Sequence, residues 1–497
     1  MTAKVLMFQG TGSDVGKSTL VTGLCRAARH RGLRVAPFKP QNMSNNAAAC
    51  DGGGEIGRAQ ALQARACGLD LSTDFNPVLL KPQSDMSAQV VVHGKVRTST
   101  SAAEYMQNER ALLMDSVIES FYRLQKQYDL ILVEGAGSAS EVNLRKHDIA
   151  NMGFARAVRS PVSLIGDIDR GGVIAAVVGT KSVIEGKDAA LINSFIINRF
   201  RGDPTLFHDG VEAIETTTGW PCRGVVPWLP EALRLPQEDA VVLEATPAVD
   251  SAVPIDGQIR IAVPMLSRIA NFDDLDPLRA EANVRVFFIP PGHAIPLDID
   301  AVVIPGTKST IADLAFMRAQ GWHHDIIALA RSGKRVLGIC GGYQLLGQTI
   351  ADPDGLEGAP ATVDGLGLLE VSTKMSKGKT IQQVQGICCR SKNRVHGYEI
   401  HIGTTTGTDT RQPLFEIEGS SDGAISVSGK IQGTYLHGMF GSDEYRSWWL
   451  DSIRSGASSD INYDVQLERD IDALAAALET SLDIDALLAD AMPPQPG

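Results

Sequence analysis

The stretch Arg335-Val336-Leu337-Gly338-Ile339-Cys340-Gly341-Gly342-Tyr343-Gln344-Leu345-Leu346-Gly347 joins an apolar run to a cysteine, two glycines and a helix-forming segment. That order is the pattern of a nucleophile elbow. A thiol on the sharp turn between a buried strand and a helix projects above the sheet edge, where the helix N-terminus lowers its pKa toward the reactive thiolate. Gly341 and Gly342 permit the turn and leave space for a substrate carbonyl. The same residues also describe a crossover that packs a structural cysteine, since free cysteine is among the most buried residue types.

The runs Ile259-Arg260-Ile261-Ala262-Val263-Pro264, 284–289 and 301–304 precede this stretch and alternate with helical segments. They predict a parallel α/β sheet. In Val302-Val303-Ile304-Pro305-Gly306-Thr307-Lys308-Ser309-Thr310 a strand ends in a tight turn. Backbone N–H groups at Gly306 and Gly341 there suit a developing oxyanion; an ordinary turn with Ser309 or Thr310 as N-cap fits equally. A cysteine nucleophile needs a base, and Gly433-Thr434-Tyr435-Leu436-His437-Gly438-Met439-Phe440 puts His437 just past an apolar strand. The stretch His396-Gly397-Tyr398-Glu399-Ile400-His401 has a superficially metal-like spacing, but no acid or cysteine cluster completes it. It reads as substrate binding or edge-strand packing.

Near the start, Val5-Leu6-Met7-Phe8 leads into Gly10-Thr11-Gly12-Ser13-Asp14-Val15-Gly16-Lys17-Ser18-Thr19 and a helical run. Strand, glycine-rich loop and helix together form the context of a P-loop, here with its first glycine displaced from the usual position. Its backbone N–H groups cradle phosphates, Lys17 reaches the terminal phosphates, and the Ser18 hydroxyl can ligate Mg²⁺. A second buried run, 129–133, ends in Glu134-Gly135-Ala136-Gly137-Ser138. In a parallel sheet that acid emerges beside the P-loop and is a second Mg²⁺ candidate. Asn198 ends another strand, where it can read a nucleotide base or simply form a turn.

Between loop and acid lie three polar segments: 39–46, Asp51-Gly52-Gly53-Gly54-Glu55-Ile56-Gly57-Arg58-Ala59-Gln60, and 76–85. They read as a long loop outside the core that binds a polar small molecule, with Asp51 and Glu55 as further Mg²⁺ candidates; a plain solvated insertion is the other reading.

At 497 residues the chain has room for several cores, and 43% apolar with 21% charged residues describes an ordinary globular protein. A net charge of −12 argues against a general nucleic-acid binder. Seven scattered cysteines suit a reducing compartment. No basic-then-apolar leader and no long apolar window are present, so the sequence predicts a cytoplasmic protein with no membrane contact. The predicted division is a P-loop domain over 1–235, a Pro- and acid-rich linker over 236–257, a second domain over 258–450, and a helical extension over 451–497. That extension carries Ile471, Leu474, Ala475, Leu478 and Leu482 at helical spacing. It is expected to pack on the second domain, with a fraying Pro-rich end.

Taken in order, the P-loop, 51–60, 76–85, 134–138, 167–172, 198–203, Cys340–Gln344, 396–401 and 433–440 resemble the cobyric acid synthase family over nearly the whole chain. The first half is similar to dethiobiotin synthetase, the second to class I glutamine amidotransferases. The resemblance implies an ATP- and Mg²⁺-dependent carbon–nitrogen ligase of cobalamin biosynthesis. It would amidate the b, d, e and g carboxylates of adenosylcobyrinic acid a,c-diamide through acyl phosphates, with L-glutamine as the ammonia source. It assigns Cys340 as nucleophile and His437 as base. Many class I glutaminases carry a Glu two residues after this histidine, whereas here Met439 stands there, so a Cys–His dyad is expected and the group that orients His437 is open. The related a,c-diamide synthase is the nearest alternative enzyme. A partitioning-type ATPase switch with an inactive amidotransferase domain is the alternative of another class; such proteins carry an extra lysine early in the loop, and Thr11–Val15 contains none. A homo-oligomer is compatible with all of these readings.

Overall fold

Runs such as Val5-Leu6-Met7-Phe8 and Leu130-Ile131-Leu132-Val133 are buried residue after residue, on both faces. Only a sheet covered by helices on each side allows that. The computed structural model describes residues 2–83, 87–101, 110–238 and 257–495, and in it these runs form a six-stranded parallel sheet. Its spatial order is Cys222–Pro227, Ile192–Phe200, Val162–Asp167, Lys4–Gly10, Leu130–Glu134, Val35–Phe38. Lys4–Gly10 lies between Leu130–Glu134 and Val162–Asp167. The chain order reverses around this central strand, so the crevice at its carboxyl end is where an open α/β sheet binds a ligand.

The second domain repeats the theme with Val284–Ile289, Ile259–Pro264, Ala301–Ile304, Arg335–Ile339 and Ile431–Thr434 in parallel, closed by Ala424–Ile425 in antiparallel. Parallel sheets were expected in both halves, and both are present. The sequence did not reveal a third, largely antiparallel sheet dominated by the hairpin Val371–Cys388 with Arg394–Gly407. A register shift between Lys374 and Lys379 turns Lys379 toward the first domain, where it pairs with Glu55.

Two expectations need correction. The segments read as a loop outside the core instead build a four-stranded sheet (Gln41–Met43, Val78–Pro82, Ser87–Val92, Lys95–Ser101), a ribbon (Ala47–Ala49 with Glu55–Gly57) and the helix Arg58–Cys67. Ala47, Ala49, Leu79 and Val91 bury against Tyr398 and Ile400 of the other domain. Their apolar partners lie more than 300 residues away in sequence, so no local pattern marks them as core. Residues 84–86 of the third segment lie outside the described residues, as do 239–256 of the expected linker.

The second correction concerns the C-terminal extension, which packs on the first domain. Leu467, Ile471, Leu474 and Leu478 of the helix Tyr463–Ser481 meet Leu20, Val21 and Leu24 of the helix Lys17–His30. Gly23 has no side chain to hold the two helices apart: a Cβ there would lie 2.5 Å from Leu478 Cδ1. Arg26 and Arg65 both pair with Glu468. An amphipathic stripe states that a helix is covered, and charge matching at its rim decides by which domain. Met492 bridges to Val5, and the Gln495 N–H reaches the Val158 carbonyl at 3.0 Å. The tail is therefore docked as far as residue 495, with 496 and 497 outside the described residues.

Candidate functional site

At the carboxyl end of Lys4–Gly10 the chain turns through Asp14 (φ 54°) and Gly16 (φ 89°) into the helix Lys17–His30. Left-handed backbone at Gly16 aims successive N–H groups inward, as an anion cradle requires. Ser13, Asp14, Gly16, Lys17, Ser18 and Thr19 line a cavity of about 420 Å³. Gly10, Thr11, Gly12 and Val15 shape the loop behind it; a Cβ on Gly10 would sit 2.7 Å from Val15 Cγ2, and the Thr11 N–H donates to Ile165. Lys17 Nζ donates to the carbonyls of Gly12 and Gly137 at 3.1 and 2.9 Å. Burial pulls its pKa down to about 8, against the opposing pull of Glu134.

Ser18 Oγ donates to Glu134 Oε1 at 2.7 Å, so these two expected metal ligands lie together. Burial alone would raise the Glu134 pKa, but the Lys39 ammonium at 2.7 Å and the Gln63 amide at 2.6 Å outweigh it and hold the carboxyl down. A hydroxyl beside an ionised carboxylate, at the edge of that cavity of about 420 Å³, is a donor set that suits Mg²⁺, which completes its shell with phosphate oxygens and water. Asp51 takes no part: it is exposed in the ribbon turn after Cys50 and lines none of the cavity. Glu55 is ruled out by its partners, since Lys81 at 2.8 Å and Lys379 claim both its oxygens. Those two cations overcome burial and hold its pKa at about 2. Asn198 does adjoin the loop, but its Nδ2 donates to the Val15 carbonyl at 2.8 Å, bracing the loop from behind. Lys39, quoted in the sequence only as part of a polar run, proves to be the buried cation between Glu134 and Glu238.

In the second domain Cys340 has φ 53° and ψ −110°, a strained conformation for a residue with a side chain, between the strand Arg335–Ile339 and the helix Gly341–Leu346. Strain of this kind at a strand-to-helix turn is what the elbow reading expects. A Cβ on Gly342 would lie 2.1 Å from the Ile304 carbonyl, so only glycine lets the turn close. His437 lies in a short strand paired to Tyr398, whose ring stacks on the imidazole at 5.1 Å. Cys340 and His437 both line a small cavity of about 50 Å³, together with Gly306, Thr307, Gly341 and Gln344.

The orienting group missing from the sequence reading is Asp274. Its Oδ2 accepts from His437 Nδ1 at 2.7 Å, and its Oδ1 accepts the Gly438 N–H at 2.7 Å. Both side chains are almost fully buried. Burial by itself lowers the His437 pKa, but the Asp274 charge and hydrogen bond, followed by the Cys340 thiol, outweigh it and raise it to about 10. With Nδ1 committed to Asp274, Nε2 on the thiol side of the ring has no hydrogen-bond partner among the described residues, and the Cys340 thiol itself donates to the Ile400 carbonyl at 3.4 Å. Asp274 could not be singled out beforehand, since it is one of three acids in Phe272-Asp273-Asp274-Leu275-Asp276 and more than 160 residues from its partner.

The expected oxyanion donors also need adjustment. Ile269–Ala270 pairs antiparallel with Gly306–Thr307, and the Lys308 N–H donates to Arg268. Hydrogen-bonded pairs alternate along such a ladder, so Gly306, opposite Ala270, turns its N–H to that strand, and Thr307 turns its own away. Thr307 N lies 3.1 Å from where a Gly341 Cβ would be. The pair of N–H groups near Cys340 is therefore Thr307 with Gly341, in place of Gly306 with Gly341.

Among the described residues no group of three or more His, Cys, Asp or Glu side chains could hold a metal ion. Within 396–401, His401 stacks on Tyr435 at 3.9 Å, and burial draws its pKa down to about 4. Among the described residues no helix is long and apolar enough to cross a membrane.

Residues 6–242 match the family model of the CobQ/CobB/MinD/ParA nucleotide binding domain, and 260–445 that of the CobB/CobQ-like glutamine amidotransferase domain. A cobyric acid synthase of Hyphomonas neptunium is 59% identical over 494 residues, 99% of each chain. That of Paracoccus denitrificans is 56% identical over 97% of this chain and 99% of its own. That of Mesorhizobium japonicum is 53% identical over 98% and 99%.

Proposed function

The chain belongs to the cobyric acid synthase family, ATP-dependent, glutamine-hydrolysing ligases of cobalamin biosynthesis, and on that premise we propose how its two sites divide the reaction. The substrates are L-glutamine, ATP and adenosylcobyrinic acid a,c-diamide, whose b, d, e and g carboxylates are amidated to give cobyric acid. One observation carries the division: a buried Cys340–His437–Asp274 constellation stands in the same chain as a P-loop whose Ser18 touches Glu134.

A carboxylate does not accept ammonia at neutral pH, so it must first be activated. The corrinoid carboxylate attacks the γ-phosphorus of ATP, releasing ADP and leaving an acyl phosphate, from which ammonia then displaces phosphate. Lys17, whose ammonium already faces the carbonyls of Gly12 and Gly137, exchanges those acceptors for phosphate oxygens as charge develops on the transferred group. Ser18 and Glu134 would hold Mg²⁺, which neutralises phosphate charge when bound. Lys39, held above the ordinary lysine pKa because Glu134 and Glu238 overcome its burial, supplies a further fixed positive charge in the cleft.

Ammonia originates at Cys340. Because Asp274 holds the proton on His437, the imidazolium stabilises the Cys340 thiolate. The thiolate attacks the glutamine amide carbon, and the N–H groups of Thr307 and Gly341 receive the oxyanion. His437 then protonates the departing nitrogen, and ammonia leaves a thioester. Water, giving its proton to His437, hydrolyses the thioester to glutamate.

The direct test incubates the protein with glutamine, MgATP and the a,c-diamide corrinoid and follows the corrinoid by mass. Stepwise conversion of four carboxylates to amides is expected. No change in mass, or amidation only of the acid that lacks the a and c amides, overturns the reading.

A further inference from the structure

We infer that the glutaminase site is completed by the first domain: Asn46 and Arg58 are positioning residues that hold the turn carrying Asp274 against His437. The inference rests on the reading of Cys340 as the nucleophile. Asp274 belongs to the single turn Phe272–Leu275, which lies in none of the sheets. The turn is entered through Asn271, whose φ of 53° lies in the left-handed region that residues with a Cβ seldom adopt. What keeps it there comes from across the domain boundary. The Asn271 N–H donates to Asn46 Oδ1 at 2.6 Å, and Asn271 Oδ1 accepts the Ala47 N–H at 3.0 Å. Asn46 and Asn271 are each only 3% exposed.

Two residues further on, Asp273 Oδ2 pairs with Arg58 Nη2 at 2.5 Å. Burial pushes the Asp273 carboxyl up, and Arg58 is the foremost group opposing that rise. Without the guanidinium, Asp273 would be buried beside Asp274 and close to the buried Asp276, with His437 the foremost remaining cation acting on it. Asp273 would then take up a proton or swing away, and either response displaces the turn that places Asp274. Arg58 also lies 6.0 Å from the ring of Tyr398, the residue stacked on His437. Its anchorage is firm, because it opens the helix Arg58–Cys67, whose Gln60 and Gln63 amides both reach Glu134. The Arg58 N–H donates to the Asn46 carbonyl at 3.1 Å, so the two positioning residues form one clamp.

The experiment compares glutamine with ammonium as nitrogen source in the full-length enzyme, using Arg58→Ala, Arg58→Lys, Asn46→Ala and Arg58→Ala combined with Asp273→Asn, beside Cys340→Ala as reference. Arg58→Ala and Asn46→Ala should lose about 10–100-fold in kcat/KM for glutamine, the range typical of groups that orient a catalytic ligand from behind. Their ammonium-supported turnover should fall by a much smaller factor, the Asn46 amide being tied also to the Glu238 carbonyl at the nucleotide cavity, at 2.6 Å. Arg58→Lys restores the charge without the planar fork and should recover part of the loss. Adding Asp273→Asn to Arg58→Ala should also recover part, since no carboxylate is then left unmatched. Should Arg58→Ala fail to accumulate folded, Asn46→Ala and Arg58→Lys carry the test. Unaltered glutamine use, or equal loss with both nitrogen sources, overturns the inference. Glutamine use persisting in Cys340→Ala overturns instead the nucleophile reading beneath it.

Discussion

The two sites are built at the same place in similar sheets, yet they are assembled in opposite ways. The phosphate-binding corner of the nucleotide cleft is one continuous run, Ser13–Thr19, joined by the strand-end acid Glu134 that Ser18 touches, while residues within 39–43 and 135–151 line most of the rest of the cleft. The thiol site takes Cys340 from one strand end, His437 from another, Asp274 from a turn after a third, and its outer clamp from the other domain. A contiguous site carries its geometry in local backbone preference. A dispersed site has its geometry only once the sheets and the domain boundary have formed.

That contrast is broken most decisively at Cys340. Cys340→Ala should lower glutamine-dependent amidation by at least ~10⁴-fold, as removal of a nucleophile does in comparable acyl-transfer sites, and leave ammonium-dependent amidation intact. Loss of both would mean that the cysteine supports the second domain and does not act in it.

Asp274→Asn comes next, with a glutaminase loss of about 10²–10⁴-fold, the share usual for a correctly placed proton-transfer group. The sign with pH follows from the imidazole. His437 has a folded-state pKa raised from 6.5 to about 10, so its attraction to Asp274 is present in full below 6.5 and lost as pH rises through about 10. Without the Asp274 charge the foremost cause of that rise is gone while burial still lowers the pKa, so the imidazolium is lost at a lower pH than in the native enzyme. Glutaminase activity followed from neutral to alkaline pH should fall off earlier in the variant than in the native enzyme, because His437 gives up its proton sooner. Identical profiles would remove Asp274 from the constellation.

Lys17→Ala sharpens the other side of the comparison. It should lower amidation by about 10²–10³-fold, as loss of one transition-state donor does, and equally with glutamine and with ammonium. An effect confined to glutamine would contradict the division of labour.

What could be read from the sequence follows the same line. Parallel sheets in both halves were legible because uninterrupted apolar runs such as 130–133 and 336–339 have no other use. Ser18 and Glu134 were expected together and are in contact, since a P-loop helix and a neighbouring strand end meet at a sheet's carboxyl edge. Asp51 and Glu55 misled because an acid near a phosphate loop in sequence gives no hint of the Lys81 and Lys379 that claim Glu55, one of them more than 300 residues away. Gly306 misled by one position: composition marks the turn, but only the register with Ala270 decides which N–H points inward. Asp274 was hidden among three neighbouring acids, and nothing short of the fold distinguishes them.

The smallest effect on catalysis is expected from the C-terminal helix, whose apolar stripe was legible in the sequence although the surface it covers was not. Leu474 is fully buried in the cluster with Leu20 and Leu24, on the side of the helix Lys17–His30 away from the phosphates. Leu474→Ala removes about three methylene equivalents and leaves a cavity that two ion-paired helices cannot readily close, which costs roughly 2–5 kcal/mol. Because the strain falls on the scaffold behind the P-loop, both nitrogen sources should support unaltered turnover at low temperature. Thermal unfolding should begin several degrees earlier, and MgATP, by binding only the folded first domain, should restore part of the loss. If the helix were instead a support of the second domain, glutamine would be the protecting ligand and glutamine-dependent activity the first to fail on warming. The ligand that protects the variant therefore reports which domain the last helix holds together.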